Sequence, residues 1–219
     1  MSLFLPKYPS VLKLLYPKRI SRIEDNNAIY LTFDDGPIPE ITPWVLDLLE
    51  DYSAKATFFC IGENIEKHPE IFRSILEKEH DVGNHTYNHL NGWKTGKAAY
   101  IENTQKTQQV FTTNKFFPET KFFRPPYGKI MNAQARALVE QDYKIVMWDV
   151  ISGDYDLNIS AETCYRNVIN NAAAGSTIVF HDSEKAFKNL REVLPRVMRY
   201  YAEKGFSFKS LTDAPLKDQ

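Results

Sequence analysis

The chain is poor in the features that would place it in a specialised class. Its 219 residues hold only two cysteines, Cys60 in an apolar strand-like run and Cys164 in a helix-like run. That usage excludes a disulfide scaffold or a cysteine-rich metal site, and it suits buried thiols that leave the redox compartment open. No apolar stretch approaches the roughly 20 residues that a membrane-spanning helix needs. Residues 3–15 are interrupted by Pro6, Lys7, Pro9 and Lys13, so the continuous apolar region of a secretory signal is missing and the sequence reads as cytoplasmic. A formal net charge of -1 gives no reason to expect nucleic acid as a partner. Linkers rich in Gly, Ser or Pro and internal repeats are lacking too, so one domain is the simplest division, with a monomer as the default state.

What is present supports a single large core, since 43% of the residues are hydrophobic and 25% are charged. The first 23 residues carry Lys7, Lys13, Lys18, Arg19 and Arg22 with no acidic residue before Glu24. Prolines spoil a long amphipathic helix there, which argues against membrane contact. The expectation is a solvated basic arm over residues 1–27, packed by its Leu and Tyr residues on a catalytic domain of residues 28–219.

Apolar periodicity then alternates between strand and helix. Ala28 to Leu31 is a short apolar run, and Ile41, Trp44, Val45, Leu48 and Leu49 fall at helical spacing within 39–52. Ala56 to Ile61 reads as a strand buried on both faces, and Pro69 opens a helix. Helices are expected at 97–113, 132–142, 160–173 (capped by Ser160) and 186–204, with strands at 121–123, 144–148 and 177–180. About seven strand–helix units predict a parallel sheet in a closed or nearly closed barrel. No Gly-x-Gly-x-x-Gly follows the first strand, which argues against a dinucleotide fold.

Four polar constellations end the apolar runs: Thr32-Phe33-Asp34-Asp35-Gly36-Pro37, Gly83-Asn84-His85-Thr86-Tyr87-Asn88-His89, Arg124-Pro125-Pro126-Tyr127-Gly128 and Val179-Phe180-His181-Asp182. A barrel would gather them around one mouth, at the carboxyl ends of its strands. Of two adjacent carboxylates, one can hold a metal while the other takes a proton. His85 and His89, four apart, would face the same way on a helical turn and complete a three-ligand set with one carboxylate, leaving positions for water and substrate. Thr86 follows the first histidine, so this is not the His-Glu-x-x-His arrangement of metalloproteases. Non-haem iron oxygenases share the two-histidine, one-carboxylate set, but oxygen activation has no evident need for a free base beside it. The groups suit metal-assisted hydrolysis.

With these motifs in this order, the chain resembles the polysaccharide deacetylases of the NodB-homology type, also called carbohydrate esterase family 4. The resemblance covers about residues 28–211. It implies a distorted (β/α) barrel and metal-dependent removal of acetyl groups, usually N-acetyl from the amino sugars of chitin or peptidoglycan. An acetylated polysaccharide or oligosaccharide would then be the partner, and a cell-envelope polymer would bear on the compartment.

Residue by residue, the resemblance makes Asp34 the catalytic base and Asp35 a metal ligand with His85 and His89. Arg124 resembles the arginine that keeps the base ionised, and the Tyr127 backbone N–H is expected to stabilise the oxyanion. His181 matches the general acid that protonates the departing amine. Trp148-Asp149-Val150-Ile151-Ser152-Gly153-Asp154-Tyr155 departs from the family pattern at Ile151 and Tyr155, but Asp154 still aligns as the carboxylate that orients His181, with Asp149 as the alternative. Substrate contacts are expected from Pro126, Trp148, Tyr155 and Val179, the last replacing a leucine in the wall around the acetyl methyl. Trp93 and Tyr87 could stack on sugar or simply pack. Zinc suits the ligand set; cobalt, nickel or manganese could occupy it as well. The competing readings are an O-acetyl esterase acting on acetylxylan and a catalytically weak sugar-binding relative.

Overall fold

A computed structural model describes residues 5–16 and 18–214; residues 1–4, 17 and 215–219, which the expected arm and domain also include, lie outside the described part. The strands are β1 (Ala28–Asp34), β2 (Thr57–Cys60), β3 (Asp81–Asn84), β4 (Lys121–Phe123), β5 (Tyr143–Ile145), β6 (Val150–Ile151), β7 (Thr177–His181) and β8 (Ser207–Phe208). The helices are α1 (Ser10–Leu15), α2 (Ile41–Asp51), α3 (Gly62–Lys67), α4 (Pro69–Glu77), α5 (Lys97–Thr113), α6 (Asn132–Val139), α7 (Ala161–Ile169) and α8 (Glu184–Glu203). Seven strands pair in parallel in the order β5-β4-β3-β2-β1-β7-β6, and β8 adds to the beginning of β1. The result is a half-barrel wrapped by helices, a distorted (β/α) barrel in a single domain. No helix among the described residues is long and apolar enough to cross a membrane.

The central strand shows why the sequence folds this way. Every residue of β1 is buried. Its alternate side chains serve two cores, as the period of two requires. Ile29, Leu31 and Phe33 pack with Val45, Leu49, Leu190 and Val197 under the helices. Ala28 and Tyr30 face inward with Ile20, Phe59, Phe122 and Val146. The same inward face carries Thr32 and Asp34, which places the first aspartate at the mouth.

The arm takes part in the barrel. Strands β5 and β6 form the two edges of the sheet order, and arm backbone fills part of the gap. Ile20 N–H donates to Ile145 O at 2.8 Å and Ile20 O accepts from Met147 N–H at 2.6 Å, while Tyr8 N–H donates to Asp149 O at 2.9 Å. Its packing is carried by the buried Tyr8, Ile20 and Ile23 and the partly buried Leu12, whereas Leu5, Leu14 and Leu15 are 50%, 81% and 61% exposed. Its cations are not simply solvated either. Lys7, Lys13 and Arg22 converge on the buried Asp149 carboxylate at 2.7, 2.9 and 3.3 Å.

Some boundaries differ from expectation for local reasons. The strand expected at 144–148 ends at Ile145 because the backbone beyond it pairs with Ile20 of the arm. Helix α6 stops at Val139, three residues early, where Asp142 turns to a φ of 66°. Helix α7 ends at Ile169, short of Ala173. Its expected cap is present, the Ser160 hydroxyl accepting from Thr163 N–H. Helix α3 and strand β8 carry no clear period of their own and were not expected.

Candidate active site

Asp34 closes β1, level with His181 at the end of β7, because the two strands are paired in register. Arg124 follows β4 and reaches the same depth. Its Nη1 donates to Asp34 Oδ1 at 2.6 Å and to Thr32 Oγ1 at 2.8 Å, while Nη2 donates to Met147 O at 2.8 Å. The guanidinium also lies 4.0 Å from the centre of the Phe59 ring. Only 1% of Arg124 is exposed. Burial alone would raise the Asp34 carboxyl, but Arg124, helped by His85 and His181, holds it below the usual carboxylate range.

Asp35, His85 and His89 converge beside this pair. Asp35 Oδ1 lies 3.3 Å from His89 Nε2 and 3.7 Å from His85 Nε2. His85 Nδ1 is 2.7 Å from Arg124 O, a geometry in which Nδ1–H donates and Nε2 is left as the lone-pair donor. The histidines do not share a helical turn, as their spacing suggested. β3 ends at Asn84, and the following loop bends through Thr86 (φ 63°) and His89 (φ 57°), which no helix permits. Buried Asn84 holds the loop by accepting from Thr86 N–H at 2.9 Å, and the Thr86 hydroxyl accepts from Leu90 N–H at 2.9 Å. Burial lowers the pKa of both imidazoles, His89 to about 4, which keeps them neutral and able to ligate. The donor atoms all lie within 4.8 Å of one another. Asp35 Oδ1 is buried without a hydrogen-bond partner. An orphaned carboxylate oxygen facing two imidazole nitrogens fits a divalent cation.

His181 stands across the mouth. Its Nδ1 is 2.8 Å from Asp154 Oδ1, and its backbone N–H donates to Asp154 Oδ2 at 2.8 Å. The Ser152 hydroxyl donates to Asp154 Oδ1 at 3.0 Å. Burial opposes charge on the imidazole, but Asp154, with Asp35 and Asp34 beyond it, raises the His181 pKa to about 9. Of the two candidate partners, Asp154 makes the contact, while Asp149 accepts from Ser176 Oγ at 2.6 Å and binds the arm.

The remaining candidates line or support this cleft. Tyr127, 60% exposed at φ 59°, lays its ring 4.4 Å from that of His89. Pro126 is buried in the same turn. Tyr155 meets His181 edge-on at 4.8 Å. Val179 is buried two residues before His181 on the same strand face, opposite Thr32 in register. Trp148 is half-buried and engaged by protein: a side chain on Gly128 would meet its ring at 2.6 Å, and Tyr8 packs edge-on at 5.4 Å.

Several supporting residues escaped sequence reasoning. Asp182 is wholly buried, accepting from Gly36 N–H at 3.1 Å and from Thr42 Oγ1 at 2.5 Å. Gly36 is therefore confined, since an added Cβ would sit 2.0 Å from Asp182 Oδ2. Asn64 Nδ2 donates to Asp35 O at 2.7 Å. Asp182 and Gly36 stood inside the quoted motifs without an assigned role, a usable signal; Asn64 and Thr42 offered none.

Comparison with known proteins identifies the family. The model of the family described as "Polysaccharide deacetylase" matches residues 21–146. A peptidoglycan-N-acetylglucosamine deacetylase of Bacillus cereus is 38% identical over 184 residues, 84% of this chain and 66% of that protein. A chitooligosaccharide deacetylase of Azorhizobium caulinodans is 34% identical over 166 residues, 74% of this chain and 77% of that protein. The crystal structure of a peptidoglycan N-acetylglucosamine deacetylase in complex with 4-naphthalen-1-yl-N-oxidanyl-benzamide superposes with a TM-score of 0.86 at 33% identity, covering 94% of this chain and 97% of that one. By sequence, by relatives and by fold, the chain belongs to the polysaccharide deacetylase family.

Proposed function

We propose that the protein is a metal-dependent hydrolase that removes N-acetyl groups from amino-sugar polymers, with cell-wall peptidoglycan as its substrate class. The observation that carries the reading is the pairing of two proton-transfer groups in opposite states at one mouth. Asp34 is held ionised by Arg124, and His181 is held protonated by Asp154. Peptidoglycan is favoured over acetylxylan because relatives 38% and 34% identical to the chain are named for it. A merely sugar-binding role would leave this opposition of pKa values without use.

Asp35, His85 and His89 would hold one divalent ion, zinc by donor type, which when bound supplies a Lewis acid for a water and for the acetyl carbonyl. The chain's own residues do the rest. Asp34 accepts the proton of the attacking water as its oxygen bonds to the carbonyl carbon. Arg124 keeps that carboxylate oriented. His181 Nε2 gives its proton to the amide nitrogen as the C–N bond breaks, releasing the sugar amine and acetate. Asp154 keeps the Nδ1 side occupied, so that the proton given comes from the face toward the cleft. The Tyr127 N–H is assigned to the oxyanion, Pro126, Tyr155 and Val179 to the substrate wall, and Trp148 to the backing of the Tyr127 turn. Residues 28–219 would constitute the catalytic domain and residues 1–27 its arm.

The test is acetate release from peptidoglycan fragments, chitooligosaccharides and acetylxylan, with and without chelator. Chelator-sensitive release from the amino-sugar substrates is expected. Release from acetylxylan alone would replace this reading with the esterase.

A further inference from the structure

Beside the metal-ligand loop, one aromatic side chain stands largely exposed on a fixed backbone turn. Trp93 is 65% exposed, four residues after His89. Its turn is fixed from several sides. The Asn91 side chain accepts from Trp93 N–H at 3.0 Å, and buried Gln134 donates to Gly92 O at 3.0 Å and to Thr95 O at 2.9 Å. Gln134 Oε1 accepts from Met131 N–H at 2.9 Å, tying the turn to the segment that follows Tyr127. Gly92 packs so closely on that segment that an added Cβ would lie 2.5 Å from Lys129 O. Lys129 Nζ sits 5.4 Å from the centre of the Trp93 ring and makes no ion pair among the described residues.

The chain segments that carry the pair hold basic residues and no acidic ones. Residues 82–101 and 120–139, the two segments that form this rim, contain no Asp or Glu, and they include Lys94, Lys97, Lys129 and Arg136. Tyr87, the other aromatic of the loop, is tied at its hydroxyl by Glu66 and has Lys106 only 3.3 Å over its ring, against 5.4 Å for Lys129 over Trp93. An exposed indole on a fixed turn, with an ammonium near its ring that makes no ion pair among the described residues, suits a ligand with an apolar face and a carboxylate.

Its place in the chain bounds its separation from the metal ligands. Four residues of chain span at most roughly 14 Å, so Trp93 lies within a short glycan segment of His89. We propose that Trp93 and Lys129 form a distal subsite that takes a neighbouring sugar of the glycan, stacking on its ring and pairing with a carboxylate it carries. This rests on the deacetylase reading above and adds a preference for acidic amino-sugar strands over neutral ones.

The test compares two N-acetylated tetrasaccharides on the metal-saturated enzyme, one neutral and one with a lactyl ether carboxylate on alternate sugars. Binding is measured by calorimetry and acetate release by kcat/KM. For the wild type, the acidic strand is preferred in both measurements, and the preference weakens with salt. Lys129→Gln reduces the acidic-to-neutral ratio by about threefold to fivefold. Trp93→Ala raises KM more than it changes kcat and lowers affinity for both strands. Ratios and affinities unchanged in both variants overturn the subsite. If the wild type binds with the expected preference but releases no acetate, the subsite stands and the deacetylase reading fails; if it binds neither strand, both fail.

Discussion

Asp154 grips His181 twice, one carboxylate oxygen 2.8 Å from Nδ1 and the other 2.8 Å from the backbone nitrogen of the same residue. The two contacts fix both the ring and the strand end that carries it. Because the group is raised to about 9, its protonated form persists at neutral pH, where an ordinary histidine would be mostly neutral.

Asp154→Asn should therefore move the alkaline limb of the rate–pH profile to lower pH and reduce the maximum rate. The amide keeps the side chain's size and one of its two acceptors but removes the charge that raises the pKa. Asp149→Asn should leave that limb in place. Profiles of kcat/KM on an N-acetylated oligosaccharide, under metal saturation, distinguish the two. A limb that moves in the Asp149 variant and not in the Asp154 variant would reverse the assignment.

His181 also links stability to pH. Its folded pKa lies above the unfolded value of 6.5, so its contribution is complete below about 6.5 and is lost as pH rises through about 9. Urea unfolding of the wild type and His181→Gln at pH 6 and pH 9.5 should converge at the higher pH. A gap that widens instead would contradict the raised pKa.

Arg124→Gln removes the cation that outweighs the burial of Asp34. The acidic limb should shift upward in pH, and stability should fall by about 3–5 kcal/mol, the usual cost of leaving a buried charge without its partner. Denaturant unfolding and a pH profile of the same protein test both effects. Arg124→Lys keeps charge without the fork that reaches Asp34, Thr32 and Met147, and should rescue stability only in part.

Asp149→Ala would leave Lys7, Lys13 and Arg22 without their common acceptor, loosening the arm from the barrel edge. Because the three cations are each partly exposed, a modest loss of about 1–3 kcal/mol is expected. Amide hydrogen exchange should rise first at Ile20 and Met147, whose backbones pair across the gap. Exchange unchanged there would separate Asp149 from the arm.

These residues also show what sequence can and cannot carry. Strands β1, β2 and β7 were legible because burial on both faces writes a continuous apolar run, and the polar groups terminating them marked the mouth. The histidine pair was recognised but its backbone misread, since a spacing of four is common to a helix and to a loop that folds back through left-handed Thr86 and His89. Asp149 was illegible as an anchor because its cationic partners lie 142, 136 and 127 positions away. Asn64 and Asp182 likewise act through contacts that only the folded chain creates.

The central claim is the division of labour between the adjacent aspartates, Asp34 as base and Asp35 as ligand. Metal content after dialysis, measured with turnover for Asp34→Asn and Asp35→Asn, tests it most directly. Asp34→Asn should retain its metal and lose most acetate release, whereas Asp35→Asn should lose the metal itself. Equal metal loss in both variants, or metal loss confined to Asp34→Asn, would contradict the account.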